Sequence, residues 1–143
     1  MLYTYDANSC ILTVGAIQIL GLADGNAISI ERNSDTFTPY VGITGEESRS
    51  KTNDRSGLAK ITLMQTSPSN DYLSSLAIQD EAANAGIRAF FFKDLVGSTL
   101  YIAKQCYVMR PAAATFGKEV QTREWNIRLV DLLMFTGGNV PNI

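Results

Sequence analysis

The stretch "EVQTREWNIRLVDLLMF", residues 119–135, places Trp125, Ile127 and Leu129 on one side and Glu124, Asn126 and Arg128 on the other. A period of two marks a strand with one buried face. This is the longest strand candidate in the chain. Past Val130 the alternation blurs, which predicts a bend or bulge near Asp131. The same period recurs in "LAKITLMQT" (58–66), where Ala59, Ile61 and Leu63 oppose Lys60, Thr62 and Met64. In "ADGNAISIERN" (23–33) a turn at Asp24-Gly25 is followed by Ile28 and Ile30, alternating with Ala27, Ser29 and Glu31. "CILTVGAIQIL" (10–20) reads as one strand. "TFTPYVGI" (36–43) is a further candidate, demoted to an edge because Pro39 lacks a ladder donor. "IRAFFFKDLVGSTLYIAKQCYVMR" (87–110) reads as two strands joined near Asp94–Ser98.

One segment has a helical pattern: "SPSNDYLSSLAIQDEAANAG", residues 67–86. Ser67 suits the cap, Pro68 the first helical position and Gly86 the exit. Tyr72, Leu73, Leu76, Ala77 and Ala83 form its apolar stripe, with Asp80 falling inside the stripe and Ile78 outside it. The tail "TGGNVPNI" (136–143) is turn-like and is expected to be loose unless a partner holds it. Together these elements predict a mainly β fold: a small antiparallel barrel or sandwich of about seven strands, with one helix packed outside.

At 143 residues the chain suits a single domain spanning 1–143. A formal net charge of -2 argues against a general nucleic-acid-binding surface. No apolar run approaches the roughly 18 residues of a membrane span, and the N-terminus lacks signal-peptide character. The expectation is a protein made in a cytoplasm, with no membrane anchor. Cys10 and Cys106 read as small buried thiols more readily than as a bridge. The absence of histidine removes Ser-His-Asp and Cys-His catalysis and the commonest metal ligand. No phosphate-binding glycine pattern occurs, and no cofactor is implied. The adjacent acids Glu46-Glu47 and Asp80-Glu81 read as solvated faces rather than acid/base pairs. Trp125 reads as core, and Phe90-Phe91-Phe92 as a buried strand with one outward ring.

The segment "GEESRSKTNDRSG", residues 45–57, has no large apolar residue and carries Glu46, Glu47, Arg49, Lys51, Asp54 and Arg55, balanced in sign. Loops in compact domains have a median of about 4–6 residues, and long ones are usually functional or disordered. Two readings stand: a floppy surface loop, or an arm that aligns its charges on a neighbouring identical subunit. Fully extended, the segment spans about 45 Å at most. Exposed strand edges raise a related expectation, pairing between identical neighbours around a ring. In such a ring the Glu124, Asn126 and Arg128 face looks into a water-filled lumen.

The ordered set "YTYDANSCILTVGAIQILGLADGNAISIERNSDTFT", "GEESRSKTNDRSG", "ITLMQTSPSNDYLSSL" and "FGKEVQTREWNI" resembles short tail-tube proteins of phages with contractile tails. The resemblance runs from Tyr3 to about Asn139. It implies a fold related to the inner tube of type VI secretion systems. It also implies six-membered rings with four strands per subunit in a continuous inner barrel, stacked helically within a sheath, and a tube that conducts DNA at ejection. The implied partners are the chain itself, a sheath protein, a tape-measure protein, a baseplate initiator and, transiently, DNA. The implied location is the virion. The loop about 40–57 becomes an inter-ring arm with contacts at Glu46, Glu47, Arg49, Lys51, Asp54 and Arg55. Ser29, Glu31, Lys60, Thr62, Glu124, Asn126 and Arg128 become lumen-lining, each base pairing with an acid such as Glu31 or Glu124. Asp71, Asp80 and Glu81 on the helix become sheath-facing. Tubes of bacteriocin-like particles and baseplate tube-initiators are the alternative within this class. A small β-sandwich enzyme or ligand-binding module is the alternative outside it.

Overall fold

The computed structural model describes residues 1–142. Ten strands and one helix follow a short 3₁₀ turn at Ala7–Ser9: β1 Cys10–Val14, β2 Ile17–Gln18, β3 Ile28–Arg32, β4 Phe37–Val41, β5 Glu47–Lys51, β6 Gly57–Met64, α1 Ser69–Ala83, β7 Arg88–Asp94, β8 Leu100–Val108, β9 Thr122–Leu129 and β10 Leu132–Phe135. Eight strands form one antiparallel sheet in the order β2-β1-β7-β8-β9-β6-β3, with β10 also paired to β8, while β4 and β5 pair only with each other. The large sheet curls around a core built on Trp125, Phe90, Ile61, Leu63, Leu73, Ile127 and Leu129. Its path is open, ending at β2 and β3, so of the expected barrel or sandwich a closed barrel is not formed by the described residues.

The alternating patterns land as read. Ala59, Ile61 and Leu63 of β6 and Trp125, Ile127 and Leu129 of β9 are buried, and Lys60, Met64 and Glu124 are exposed. Phe90 and Phe92 face the core while Phe91 faces out. The single strand expected over 10–20 is instead a tight hairpin, because Gly15-Ala16 forms a two-residue turn that sets Val14 opposite Ile17.

The expected irregularity near Asp131 is a bend with no inserted residue. Leu129 faces Cys106 and Leu132 faces Ala103, so β9–β10 and β8 keep step across it. The extra residue lies in β8 instead. Against β7, Arg88 faces Cys106 but Phe90 faces Ala103, which places a bulge at Lys104-Gln105. Bulge and bend together let both strands exchange faces, so Leu129 and Leu132, three residues apart, are both buried.

Helix α1 packs its Leu73, Leu76 and Ala77 side into the core. The helix begins at Ser69, with Pro68 in the cap position instead of the expected first helical one, and the Ser67 hydroxyl accepts the Ser69 N–H at 3.2 Å. The exit differs from expectation. Asn84 carries the left-handed turn (φ 55°), and Gly86 lies past it. Gly86 is needed for close approach, since a Cβ there would sit 2.8 Å from the Asp80 Cβ and closer still to the Leu76 carbonyl oxygen. The tail is also tied down rather than loose. Asn139 and Asn142 side chains donate to the backbone oxygen and hydroxyl of Thr4 at 3.0 and 2.6 Å, and Leu2 bridges Asn142. Ile143 lies outside the described residues.

Candidate assembly surfaces

Three antiparallel strands align the polar positions read from the sequence. Ser29 faces Lys60 and Lys60 faces Asn126; Glu31 faces Leu58 and Leu58 faces Arg128; Thr62 faces Glu124. Directly opposed residues share a face. All seven lumen candidates therefore lie on one surface, turned away from Trp125, Ile127 and Ile61. Tyr107 of β8 extends the Glu31–Leu58–Arg128 row, because it faces Arg128. Two acids and two bases make this face electrically balanced. The expected ion pairs across it do not form within the subunit. Arg128 donates to the Ser56 hydroxyl at 3.2 Å instead. The one ion pair among the described residues is Arg55–Asp131, at 3.1 Å. The reason is register: Lys60 lies opposite Ser29 and Asn126, and Arg128 opposite Leu58 and Tyr107, so no acid occupies the directly opposed site on either side.

The polar insert is ordered, which the sequence reading did not anticipate. It supplies the returning half of the β4–β5 hairpin, whose strand residues are all exposed. Its tip is a three-residue loop, Ile43–Gly45: Gly42 donates to the Glu46 carbonyl at 2.8 Å and Gly45, with φ 88°, closes the turn. Hydrogen bonds between Gly42 and Glu46 and between Thr36 and Thr52 fix the ladder phase. Paired positions alternate from there, which puts Pro39–Arg49 at a non-hydrogen-bonded pair. The missing Pro39 donor thus falls on the hairpin's outer edge, where it weakens unwanted strand addition.

Phe37, Pro39 and Val41 share one face with Glu47, Arg49 and Lys51. The Arg49 guanidinium stacks 3.8 Å from the Phe37 ring centroid. Tyr40, Val41 and Ile43 are exposed. Of the six charged candidates, Glu47, Arg49 and Lys51 therefore ride on one face of the arm, and Glu46 flanks its tip. Asp54 and Arg55 sit at its base. The Asp54 carboxylate accepts from Ser34 Oγ at 2.9 Å and from Ser56 N and Oγ at 3.0 and 2.7 Å. Those bonds, the Ser56 hydroxyl foremost, hold its pKa down to about 2, and it stays ionised at neutral pH. The exposed apolar side chains of β4 were not singled out in the sequence reading. The alternation Phe37-Pro39-Val41 next to the alternation Glu47-Arg49-Lys51 was the available signal.

On the helix, Asp71 and Glu81 are exposed and Asp80 is half-buried. The Asp80 carboxylate accepts the Gly86 N–H at 3.2 Å, so it braces the helix exit as well as facing outward. Of the thiols, Cys106 is buried, and burial pushes its pKa up to about 11; Cys10 is only partly covered. Both are free.

The sheet is open, with one polar face and free edges, and it carries a projecting two-stranded ribbon. Residues 2–137 match the family of the bacteriophage PhiTE tail tube protein. The chain belongs to that tail tube family. It is 33% identical over 123 residues to structural protein ORF10 of Pseudomonas phage KPP10, covering 85% of this chain and 71% of that protein. These are structural proteins, not enzymes, and the tail tube role places the chain in the phage tail. The fold likeness extends further. The cap that terminates the anti-feeding prophage tube matches with a TM-score of 0.65 at 8% identity, over 95% of this chain and 93% of its own. A chain of the PVC extracellular contractile injection system sheath-tube complex in the extended state matches with a TM-score of 0.59 at 11% identity, over 93% and 92%.

Proposed function

We propose that this tail tube protein forms hexameric rings that stack helically into a hollow tube, and that the tube conducts DNA during ejection. The observation that carries this reading is the alignment of Ser29, Glu31, Lys60, Thr62, Glu124, Asn126 and Arg128 on one face of β3, β6 and β9. With β8 these strands form a four-stranded wall. Its lateral edges are the outer side of β3 and the end of β8 beyond Cys106, where the β7 ladder stops. Pairing β3 of one subunit with that end of the next would continue the wall around a ring. The polar face then lines the lumen, which holds the tape-measure protein before DNA passes. The helix lies outside, with Asp71, Asp80 and Glu81 toward the sheath. The β4–β5 arm stacks ring on ring, and a baseplate initiator starts the stack. Residues 1–143 act as one tail-tube domain, assembled in the host cytoplasm.

Electron microscopy and light scattering of the purified protein across concentrations test this reading. Six-fold rings and tubes are expected; a stable monomer, even with the baseplate initiator present, would refute it. The phage relatives favour a DNA-carrying tail over the tube of a phage-like particle, and the nucleic-acid content of isolated tubes separates the two.

The charge balance of the wall yields a prediction. Duplex DNA carries about one negative charge per 1.7 Å of axis, and a basic wall would hold it by counterion release. Glu31→Lys with Glu124→Lys turns two acids and two bases into four bases. Tubes are expected to form normally while DNA ejection slows, most strongly at low salt. Ejection at the unsubstituted rate at low salt would remove these residues from the lumen.

A further inference from the structure

The arm and the β3–β6 strand pair form one interrupted ribbon. In β3–β6 Arg32 faces Gly57, and that register carried onward would set Phe37 opposite Thr52. Phe37 instead faces Lys51, so the returning side of the ribbon holds one extra residue. It lies between two backbone bonds: Asn33 N–H to the Ser56 carbonyl at 3.1 Å, and Thr52 N–H to the Thr36 carbonyl at 2.8 Å. Between them residues 34–35 oppose 53–55, and among the described residues no backbone hydrogen bond joins the two sides. An inserted residue breaks a ladder and bends the strand that carries it. This break is also a hinge, because β4 and β5 pair with no other strand that could fix their angle.

Side chains fill the break. Asp54, the middle residue of the three, reaches both sides. Ser34 Oγ donates to its Oδ2 at 2.9 Å, and Ser56 N and Oγ donate to its Oδ1 at 3.0 and 2.7 Å. Ser56 is 4% exposed. Its hydroxyl also accepts from Asn33 Nδ2 at 3.0 Å and from Arg128 Nη2 at 3.2 Å. A hydroxyl has one proton and two lone pairs, so all three are used. A chain of bonds thus runs from Arg128 on the polar face of β9, through Ser56, to Asp54 in the arm's base. It has a cation at one end and a carboxylate at the other, and charge-assisted bonds are the stronger kind.

We infer that Asp54 and Arg128 are positioning residues of the arm: joined through Ser56, they hold the hinge at one angle in the free subunit, so the arm is aimed before it meets another copy. Arg128 thereby links the wall to the arm. The effect on assembly rests on the stacked-ring reading above; the brace itself does not. An arm already fixed loses less conformational freedom on contact.

Distances between two nitroxide labels test the brace. The labels are placed at Tyr40→Cys on β4 and Ile78→Cys on the helix, both exposed, in a Cys10→Ser background; Cys106 is buried. Pulsed electron paramagnetic resonance on the dilute free subunit should give one narrow distance distribution. Asp54→Ala and Arg128→Ala should each broaden it, while Lys60→Ala, which removes the other base of the wall, should leave it narrow. Thermal melting checks that each variant folds. If Asp54→Ala does not fold, Asp54→Asn takes its place, and it should broaden the distribution less because it keeps an acceptor for Ser56. A distribution already broad in the parent, or one that stays narrow in the Asp54 and Arg128 variants, would overturn the brace whatever the tubes do. Without labels, Asp54→Ala should raise the subunit concentration at which tubes form about tenfold, the effect of re-ordering roughly one hinge residue on contact. A broadened distribution with an unchanged tube threshold would uphold the brace and remove the arm from stacking.

Discussion

Replacing Thr36–Thr52 with a short Gly-Ser turn will give a folded subunit that no longer stacks. The expected loss of tubes is complete, whereas the loss of folding free energy is under about 1 kcal/mol. Loop closure changes slowly with length, by roughly 0.6 kcal/mol per doubling. The hairpin contributes no residue to the buried core. The cut must spare the base of the arm. Asn33 and Ser56 are joined by backbone and side-chain hydrogen bonds at 3.1 and 3.0 Å, Asp54 holds Ser34 and Ser56, and Ser56 accepts from Arg128. A deletion of 46–56 would break this knot and confound folding with assembly. Sedimentation and electron microscopy would follow assembly, and thermal melting would follow the fold. Normal tubes from the shortened chain would exclude the hairpin from axial contacts. A collapse in melting temperature would show that the arm supports the subunit itself.

The parts of the fold that follow from a period of two were legible in the sequence. β6 and β9 were readable because each has one wet face and one dry face, and a single register joins them over eight residue pairs. The same alternation identified the polar face of β3, so the members of the wall could be named before their pairing was known. Two features were hidden for physical reasons. β8 and β9–β10 exchange faces at a bulge and a bend, and such a switch depends on the partner strand's register, which no single segment encodes. The arm looked structureless because its second strand is polar on both faces. Its partner, β4, lies upstream and carries a proline. Exposed hairpins lack the core-facing alternation that makes strands recognisable, so turn chemistry at Gly42 and Gly45 was the remaining clue. The ion pairs expected on the polar face failed for a related reason: the register put Lys60 and Glu124 in neighbouring rows, and Glu31 and Arg128 in one row but on either side of Leu58.

The largest effect on the subunit itself should come from Trp125. Its indole is 2% exposed, and its Nε1–H donates to Asn70 Oδ1 at 2.9 Å; Asn70 is 3% exposed and in turn donates from Nδ2 to the Met64 carbonyl at 2.9 Å. This short chain of bonds ties the start of α1 to β9 and to the end of β6. Trp125→Ala removes the largest fully buried side chain, and such truncations cost about 3–5 kcal/mol. Against a typical stability of about 5–15 kcal/mol, that brings the subunit close to unfolding. Asn70→Ala leaves the indole donor unpaired in a dry site, at about 1–3 kcal/mol, while the Met64 carbonyl keeps the Ser67 N–H at 3.0 Å. Trp125→Phe keeps most of the apolar contact but strands Asn70 Oδ1, so it should fall between the wild type and Trp125→Ala. Because the two residues share one bond, the double variant Asn70→Ala/Trp125→Phe should be less destabilised than the sum of the single changes. Urea unfolding should be followed by circular dichroism, since Trp125 is the only tryptophan and its fluorescence is lost with it. Additive effects, or an Asn70→Ala cost below about 0.5 kcal/mol, would show that packing alone anchors the helix and that the buried hydrogen bonds contribute little.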